Sequence, residues 1–385
     1  MSVLQVTPEL NAGGVERTTL EIAEAISRAG GLALIASAGG RLEPDLEAAG
    51  GELLRLPVHT KNPITVARNA FRLARIVRER GVRLIHARSR APAWSALLAA
   101  RMAKVPFVTT YHGIYNARTP LKRFYNSVMA KGDVVIANSE FTREHVLAQF
   151  DVTAEQVVAI PRGVDLDVFN PDAVDRDKVV ALRKRWGLAA GDPRFVLIAP
   201  ARLTRWKGQL ELIAAVAGIE ARRPGALKVI LAGDAQGRQS YVNEILRTAE
   251  RHQLQQVLAV IGHVRHMPVA LAASDAAVFP VIEPEAFGRG AVEAQAMGVP
   301  VLASALGGYT ETVREGETGF TVPPGQPAAL AAAIERLMDL SAPKRAEMGA
   351  AGRRNVTEHY SKQALQSATL AVYQRLLSKN SDSAA

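Results

Sequence analysis

Short apolar runs alternate along the chain with longer segments in which apolar residues recur every three or four positions. In the first half, the runs predict strands at 3–6, 32–36, 84–86, 107–111, 134–138 and 157–160, and the longer segments predict helices at 14–28, 64–80 and 94–103. Most of the runs are apolar throughout, which is typical of parallel strands that helices cover on both faces.

A second series of the same kind begins near residue 195. It predicts strands at 195–200, 228–232, 257–261, 276–280 and 299–304, and helices at 209–219, 241–252, 288–297 and 328–340. Two successive β-α series predict an α/β protein with two doubly wound, Rossmann-like domains. Since open α/β sheets bind ligands at the carboxyl ends of their strands, we expect the domains to face each other across a ligand-binding cleft.

The boundary between these domains is predicted from a polar segment, 170–193, which is rich in Asp, Pro and charged residues. We therefore assign 1–170 to an N-terminal domain and 171–359 to a C-terminal domain. An amphipathic helix at 360–378 is expected to pack back on the N-terminal domain. The polar tail at 379–385 is predicted to be disordered.

Composition narrows the class of protein. The 385 residues are 48% hydrophobic and 22% charged, as in ordinary soluble proteins with a buried core. The absence of cysteine excludes disulfides, cysteine zinc sites and thiol catalysis, and it suits a reducing cytoplasm. No secretory leader is visible, and the most lipid-like stretch, 91–100, is shorter than the ~20 residues that cross a bilayer. We expect a cytoplasmic protein that is at most peripheral on the inner face of the cytoplasmic membrane.

Positive charge is concentrated in one part of the chain, whose net charge is +10. From Arg55 to Lys131 there are sixteen Lys or Arg residues and one acid, Glu79. Such a block attracts an anionic membrane surface or a phosphorylated substrate, or it is simply a solvated basic face. No nucleic-acid partner is expected, because the block contains no recognisable nucleic-acid-binding module.

Two loops could bind phosphate. Gly13 and Gly14 follow the first predicted strand and open a helix, so that a ligand can approach the backbone and the helix N-terminus. The dinucleotide G-x-G-x-x-G spacing is absent, and a plain strand-to-helix turn explains the loop equally well. Arg202 and Lys207 follow the strand at 195–200, where they could hold a diphosphate, unless they belong to a solvated basic loop.

The most specific pattern lies in 284–300. Glu285 precedes a helix that glycines open, and Glu293 lies in the first turns of that helix. This arrangement offers a carboxylate for sugar hydroxyls, backbone N–H groups for phosphate, and a second carboxylate for a ribose. The glycine turns at 307–308 and 316–319 argue against an ordinary surface helix.

Together these motifs resemble those of the retaining glycosyltransferases of the GT-B fold, family 4, which include hexosyltransferases of bacterial surface polysaccharides. The resemblance covers nearly the whole chain and rests on 13–14, 137–139, 160–165, 202–208, 231–234, 262–264 and the E-x7-E motif, Glu285 to Glu293. The chain departs from the family at Arg162, where members often have Asn, and at 309–311, which lacks the usual proline. Both departures bear on the preference for substrate.

The resemblance implies a role for each matching residue. Glu285 would bind the sugar hydroxyls, Glu293 the ribose and Val264 the base, and His112 matches the active-site histidine of the family. The implied catalytic residues are His112 and Glu285, and the implied donor-binding residues are Gly14, Arg202, Lys207, Val264, Phe287, Gly288, Arg289, Gly290 and Glu293.

The function implied is transfer of a hexose, with retention, from GDP-mannose or a UDP-hexose to a glycan or lipid-linked, anionic acceptor in cell-envelope polysaccharide or lipopolysaccharide synthesis. The nucleotide-diphosphate sugar is a co-substrate, and no cofactor is expected. No metal is expected either, because the Asp-x-Asp pairs at 165–167 and 175–177 lie away from the phosphate loops. Two alternatives remain: a nucleotide-sugar epimerase of the same fold, and a non-catalytic protein that binds a nucleotide sugar or a polyanion.

Overall fold

Two parallel β-sheets, each covered by helices, organise the chain in the computed structural model, which describes residues 1–11, 13–115 and 119–382. The strands are β1 (Ser2–Val6), β2 (Leu32–Ser37), β3 (Gly51–Arg55), β4 (Leu84–Ala87), β5 (Phe107–Tyr111), β6 (Val134–Ala137), β7 (Val157–Ala159), β8 (Phe195–Pro200), β9 (Leu227–Ala232), β10 (Leu258–Gly262), β11 (Ala276–Phe279), β12 (Val301–Ser304) and β13 (Gly319–Val322).

The helices between and after these strands are α1 (Gly14–Arg28), α2 (Glu43–Ala48), α3 (Pro63–Glu79), α4 (Arg90–Ala103), α5 (Pro120–Ser127), α6 (Glu140–Gln149), α7 (Arg176–Arg185), α8 (Gln209–Arg222), α9 (Gln239–Arg251), α10 (Met267–Ala272), α11 (Arg289–Ala296), α12 (Tyr309–Thr312), α13 (Pro327–Asp339), α14 (Ala342–His359) and α15 (Lys362–Asp382). Short 3₁₀ turns cover Val128–Ala130, Pro171–Ala173 and Arg205–Lys207.

The strand orders are those of doubly wound sheets. The first sheet has the order β3-β2-β1-β4-β5-β6-β7 and the second β10-β9-β8-β11-β12-β13, with every pairing parallel. The order reverses between β1 and β4 in the first sheet and between β8 and β11 in the second. These reversals are the switch points at which open α/β sheets bind ligands. The prediction of two doubly wound α/β domains is confirmed.

Central strands are buried over their whole length, which explains their continuous apolar sequence. The two strands that the apolar pattern did not predict, β3 and β13, both lie at sheet edges. β3 is only partly buried and contains Glu52 and Arg55. β13 begins at Gly319, where a Cβ atom would lie 1.8 Å from the carbonyl oxygen of Val301, so that only glycine permits the close approach of β12 and β13.

The chain divides into a first unit, formed by Met1–Gly163 and the segment from Lys362, and a second unit, Val164–Ser361. The predicted boundary after residue 170 is therefore seven residues too late. The backbone N–H of Val164 donates to the carbonyl of Tyr360, 2.7 Å away, and Phe169 lies in an apolar core of the second unit. The polar composition of 170–193 indicates only that this segment is exposed. It gives no information on the contacts by which Val164 and Phe169 belong to the second unit.

The C-terminal helix α15 packs on α1 within the first unit. The hydroxyl of Tyr373 lies 2.5 Å from Nδ1 of the buried His86, and Nε2 of Gln366 donates to the carbonyl of Glu21 at 2.7 Å. The helix continues to Asp382, so that the tail predicted to be disordered from 379 is helical over 379–382; residues 383–385 lie outside the described residues. Among the helices described, none is long and apolar enough to cross a bilayer.

Candidate functional site

An ion pair lies at the switch point of the second sheet. Lys207 follows β8 and Glu285 follows β11, and the Lys207 ammonium contacts the Glu285 carboxylate directly. The side chains are 11% and 25% exposed. A pair that is so largely removed from water interacts more strongly than a surface pair, while its outer edge remains open to a ligand. The structure thus brings together two residues that the sequence analysis assigned to the same site.

Lys207 is positioned by a tight turn. The 3₁₀ turn Arg205–Lys207 ends at Gly208, which has a φ of +75°. A Cβ atom at Gly208 would lie 1.7 Å from the carbonyl oxygen of Pro280, so the turn packs directly against the end of β11. The Lys207 ammonium lies 4.2 Å from the ring centroid of Trp206, a cation–π contact that further orients it. Trp206 was not predicted as a site residue, although its place beside Lys207 in a strand-end loop was a usable signal.

Glu285 is held by the glycine turn that follows β12. The N–H of Gly308 donates to the carbonyl of Glu285 at 2.8 Å, and Gly307 pairs with Glu285 as an isolated bridge. A Cβ atom on Gly307 would lie 2.3 Å from the Glu285 carbonyl oxygen, and Gly307 has a φ of +63°. Three loops, from β8, β11 and β12, therefore set the position of the Lys207–Glu285 pair.

The N-terminus of α11 adds backbone donors next to Glu285. Gly288, with a φ of +81°, caps the helix, and a Cβ atom there would lie 2.6 Å from the Tyr309 ring. Gly290 has an equally close approach to the Phe279 ring. The predicted helix at 288–297 thus begins one residue later, at Arg289, and Phe287 contributes only its backbone to any site because its side chain is buried in the core. The N–H groups at a helix N-terminus can bind an anion.

Glu293 is already paired within α11. Its Oε1 accepts from Nε of Arg289, one turn earlier, at 2.9 Å, and each side chain is about one-fifth exposed. Arg289 was predicted to contribute to donor binding. The contact shows that its side chain sets the orientation of the Glu293 carboxylate, which is the group predicted to bind a ribose.

Arg202 and Val264 follow β8 and β10 at the same edge of the second sheet. The guanidinium of Arg202 is exposed and makes a long contact of 3.4 Å with Oε1 of Gln236. Val264 is half-buried and lines a cavity of about 690 Å³ between α7 and the loop before α10, together with Trp186 and Arg265. Arg202 and Val264 thus both have accessible surface. The resemblance implies that Arg202 binds the diphosphate and that Val264 contacts the base.

The other two predicted residues, Gly14 and His112, lie at the carboxyl edge of the first sheet. Arg162, which follows β7, connects them. Its Nη1 packs on Gly14, where a Cβ atom would lie 1.6 Å away, and its Nη2 lies 3.2 Å from Nδ1 of His112. The residue that sequence analysis noted only as a departure from the family pattern therefore contacts both predicted residues of this unit.

The pKa of His112 lies well below its usual value, because burial disfavours the charged ring and the charges of Arg162 and Arg88 add to this effect. Arg88, at the end of β4, is only 2% exposed, and its Nε donates to Oε1 of Gln5 at 2.6 Å. The basic block from Arg55 to Lys131 is thus not one solvated face, since Arg88 lies inside the first unit. Its position directly after a buried strand was the signal for this.

No cluster of three His, Asp or Glu residues suited to a metal ion occurs within the described ranges. Of the Asp-x-Asp pairs, Asp175 accepts from the N–H of Asp177 as the N-cap of α7, and Asp165 accepts from the N–H of Asp167. Both pairs therefore have local structural roles in turns. Metal independence stays a prediction.

Comparisons with known proteins give the class. The model described as "Glycosyltransferase Family 4" matches residues 12–168, and the model described as "Glycosyl transferases group 1" matches residues 182–355. A glycosyltransferase from Rickettsia africae ESF-5 superposes with a TM-score of 0.90 at 32% identity, covering 98% of each chain. Anabaena HepE, solved with UDP and glucose, superposes with a TM-score of 0.83 at 25% identity, covering 97% of this chain and 100% of its own.

A relative that is named for its activity extends the comparison. The chain is 32% identical over 307 residues, 74% of each sequence, to the GDP-mannose-dependent alpha-(1-6)-phosphatidylinositol monomannoside mannosyltransferase of Mycolicibacterium smegmatis. The fold and these likenesses define a glycosyltransferase of the GT-B class. The chain belongs to glycosyltransferase family 4.

Proposed function

We propose that this protein is a retaining, metal-independent hexosyltransferase that moves a hexose from a nucleotide-diphosphate sugar to a glycan or lipid-linked acceptor in cell-envelope polysaccharide or lipopolysaccharide synthesis. The observation that carries the proposal is the Lys207–Glu285 ion pair at the switch point of the second sheet. The mannosyltransferase relative is GDP-mannose-dependent by name, and HepE was solved with UDP and glucose, which supports a nucleotide-sugar donor here.

Negative charge develops on the diphosphate as the bond to the sugar breaks. Lys207 is largely removed from water, so its ammonium stabilises that charge more than an exposed lysine would. Arg202 and the N–H groups that open α11 supply further donors at the same sheet edge. Preorganised donors of this kind typically lower a barrier by about 3 kcal/mol each. These groups take the part that a metal ion plays in other transferases.

Glu285 binds the donor sugar in addition to pairing with Lys207, because its carboxylate can accept hydrogen bonds. With the donor bound, the ammonium is shared between Glu285 and the phosphate, and the free carboxylate lone pairs accept from sugar hydroxyls. Retention follows if the acceptor hydroxyl attacks the face that the diphosphate leaves. The new carbon–oxygen bond then forms as the old one breaks, and a leaving phosphate oxygen takes the hydroxyl proton.

A panel titration of GDP-, UDP- and ADP-sugars with EDTA present tests this function. We expect tight calorimetric binding of one donor class and, with an envelope glycan or glycolipid acceptor, a product of unchanged anomeric configuration. Release of a free epimer without acceptor would identify the epimerase instead. Binding without any turnover would favour the non-catalytic binding protein, and no binding of any donor would contradict the proposal.

We also propose that the first unit binds an anionic membrane, where a lipid-linked acceptor would be found. On α3, Ile64, Arg68, Phe71 and Arg75 recur at the spacing of one helix face, and the two apolar side chains are 70% and 68% exposed. Each basic residue near such a surface contributes about 1 kcal/mol, and the apolar side chains gain by leaving water. We call these four residues the α3 face.

A second exposed apolar pair continues this surface on α5. Leu121 and Phe124 are 77% and 63% exposed, and the Phe124 ring lies 5.3 Å from that of Trp94 in α4. Because α4 packs along α3, the exposed side chains of α3 and α5 belong to one helical layer of the first unit.

Vesicle flotation checks the membrane proposal. The protein is expected to float with phosphatidylglycerol vesicles at low salt, less at high salt, and not with pure phosphatidylcholine. Ile64→Ser with Phe71→Ser should abolish flotation, whereas Val180→Ser, which alters an apolar residue of the second unit that is 60% exposed, should not. Absence of flotation at low salt, or an undiminished signal in the α3 double variant, would refute binding through the α3 face.

A further inference from the structure

The hydrogen bond between Arg162 and His112 has only one possible direction. Nη2 of Arg162 lies 3.2 Å from Nδ1 of His112. A guanidinium carries only donors, so Nδ1 must be the acceptor and cannot carry a proton. A neutral imidazole has its proton on one nitrogen, which here is Nε2.

Further contacts hold the ring in this position. Nη2 of Arg162 also approaches the carbonyl of His112 at 3.4 Å, and Nδ2 of Asn138 donates to the same oxygen at 3.2 Å. The other side of the guanidinium packs on the bare α-carbon of Gly14. Any side chain at Gly14 would displace Arg162, so the glycine is needed for the guanidinium as well as for any ligand.

Nε2 of His112 is the nitrogen that carries the ring proton in this tautomer. It is buried, and in the part of the chain that the structure describes it has no hydrogen-bond partner. Buried N–H groups in folded proteins almost always find an acceptor, and those that do not call for an explanation. A ligand oxygen at the carboxyl edge of the first sheet would supply the missing acceptor.

The charged and titratable groups around His112 favour the neutral ring. Arg88 faces it from the end of β4 and Arg162 from beyond β7, and both cations oppose protonation. His86 lies below it on β4 and is itself buried with a pKa well below its usual value. Tyr115, which follows β5, has a raised pKa because of burial and so carries no charge at neutral pH.

Two carboxylates of α1 act on these arginines: Glu16 in the first turn acts on Arg162, and Glu21 acts on Arg88. Burial raises the pKa of Glu16. The charges that shift the pKa of His112 are those of Arg162 and Arg88, and both are positive.

We infer that Arg162 is a positioning residue, which fixes His112 as the Nε2–H tautomer so that this N–H donates to an oxygen of the acceptor at the carboxyl edge of the first sheet. The inference rests on the proposed function for the identity of that oxygen. Where family members often have Asn, the arginine adds a charge that keeps the ring neutral and a planar donor that selects the tautomer. His112 then acts as a hydrogen-bond donor across the neutral pH range and does not serve as a base through Nδ1.

Nitrogen-15 NMR of the histidine side chains tests the tautomer without any substrate. The His112 signals are assigned by their loss in His112→Gln. We expect an unprotonated Nδ1 and a protonated Nε2 at pH 7, with ring titration only at clearly acidic pH. Arg162→Gln keeps a donor but removes the charge, so the tautomer should persist and the pKa should rise. Arg162→Met removes both, so the tautomers should mix as well.

Kinetics separate positioning from mere folding. Arg162→Met should lower kcat by about tenfold or more, a change that equals about 1.4 kcal/mol in the barrier, with a smaller change in KM. Arg162→Gln should recover most of kcat, and Arg28→Met, which removes an exposed arginine of the first unit outside the basic block, should leave it unchanged.

A protonated Nδ1 in the wild-type protein would overturn the inference, and so would a tautomer and pKa unchanged in Arg162→Met. Failure of the proposed function has a different signature, since the expected NMR pattern would then persist in a protein that transfers no sugar from any donor.

Discussion

Replacing Lys207 with alanine is expected to lower kcat for sugar transfer by about two to three orders of magnitude, the usual loss when one preorganised donor to a developing charge is removed. The variant should still fold, because Glu285 is 25% exposed and its carboxylate can be solvated when the ammonium is gone. Single-turnover transfer at saturating donor measures the chemical step, and calorimetry measures the accompanying loss of donor affinity.

The pairing of Lys207 with Glu285 makes a sharper test available. Since each side chain orients the other, the losses in Lys207→Ala, Glu285→Gln and the double variant should be strongly non-additive. Lys184→Ala, which removes an exposed lysine from α7 of the same unit, serves as the matched control and should retain full activity. Unchanged kcat in Lys207→Ala would refute the assignment of the ion pair to the reaction.

Gly208→Ala is expected to destabilise the second unit by about 3 kcal/mol or more. An alanine there adopts a left-handed conformation that costs about 1–2 kcal/mol, and its Cβ atom would overlap the Pro280 carbonyl at 1.7 Å. Relief of that overlap requires the turn that carries Lys207 to move away from β11, so transfer should be lost even in the molecules that fold. Urea unfolding with a probe in the second unit measures the first effect, and the transfer assay measures the second.

The helix α8, which begins directly after Gly208, contains a control position. Gly218 lies within α8, and the nearest atom to a Cβ there is Nη1 of Arg222 at 3.6 Å, an ordinary contact. Gly218→Ala should therefore stabilise the protein by up to about 1 kcal/mol, because alanine is the better helix former. A Gly208→Ala protein that is as stable as the wild type would show that the turn adapts, and would remove the argument that it holds Lys207 rigidly.

The apolar pattern of the sequence predicted most of the strands, because a strand that is buried on both faces is apolar along its whole length. β5, β8 and β12 were predicted on that basis within two residues of their ends. The edge strands β3 and β13 were not predicted, because neither is a continuous apolar run. β3 is only partly buried, and β13 begins with Gly319, which the close approach to β12 requires.

The candidate site was predictable as a set of loops. In a parallel sheet the residues after each strand meet at one edge, so Lys207 and Glu285 could be assigned to one place before any contact was known. The boundary after Gly163 was not predictable in the same way, because it depends on pairing of Val164 with a residue almost two hundred positions further along the chain.

Local sequence patterns thus predict the strands, the helices, the turns and the chemical types of the site residues, because each of these depends on neighbours a few positions away. The tertiary structure alone decided which distant atoms meet: the carbonyl of Pro280 against Gly208, and Arg162 between Gly14 and His112. The physical reason is that such contacts are set by how whole strands and helices pack. A single arginine in a loop belongs to no periodic pattern, so its contacts cannot be inferred from the sequence.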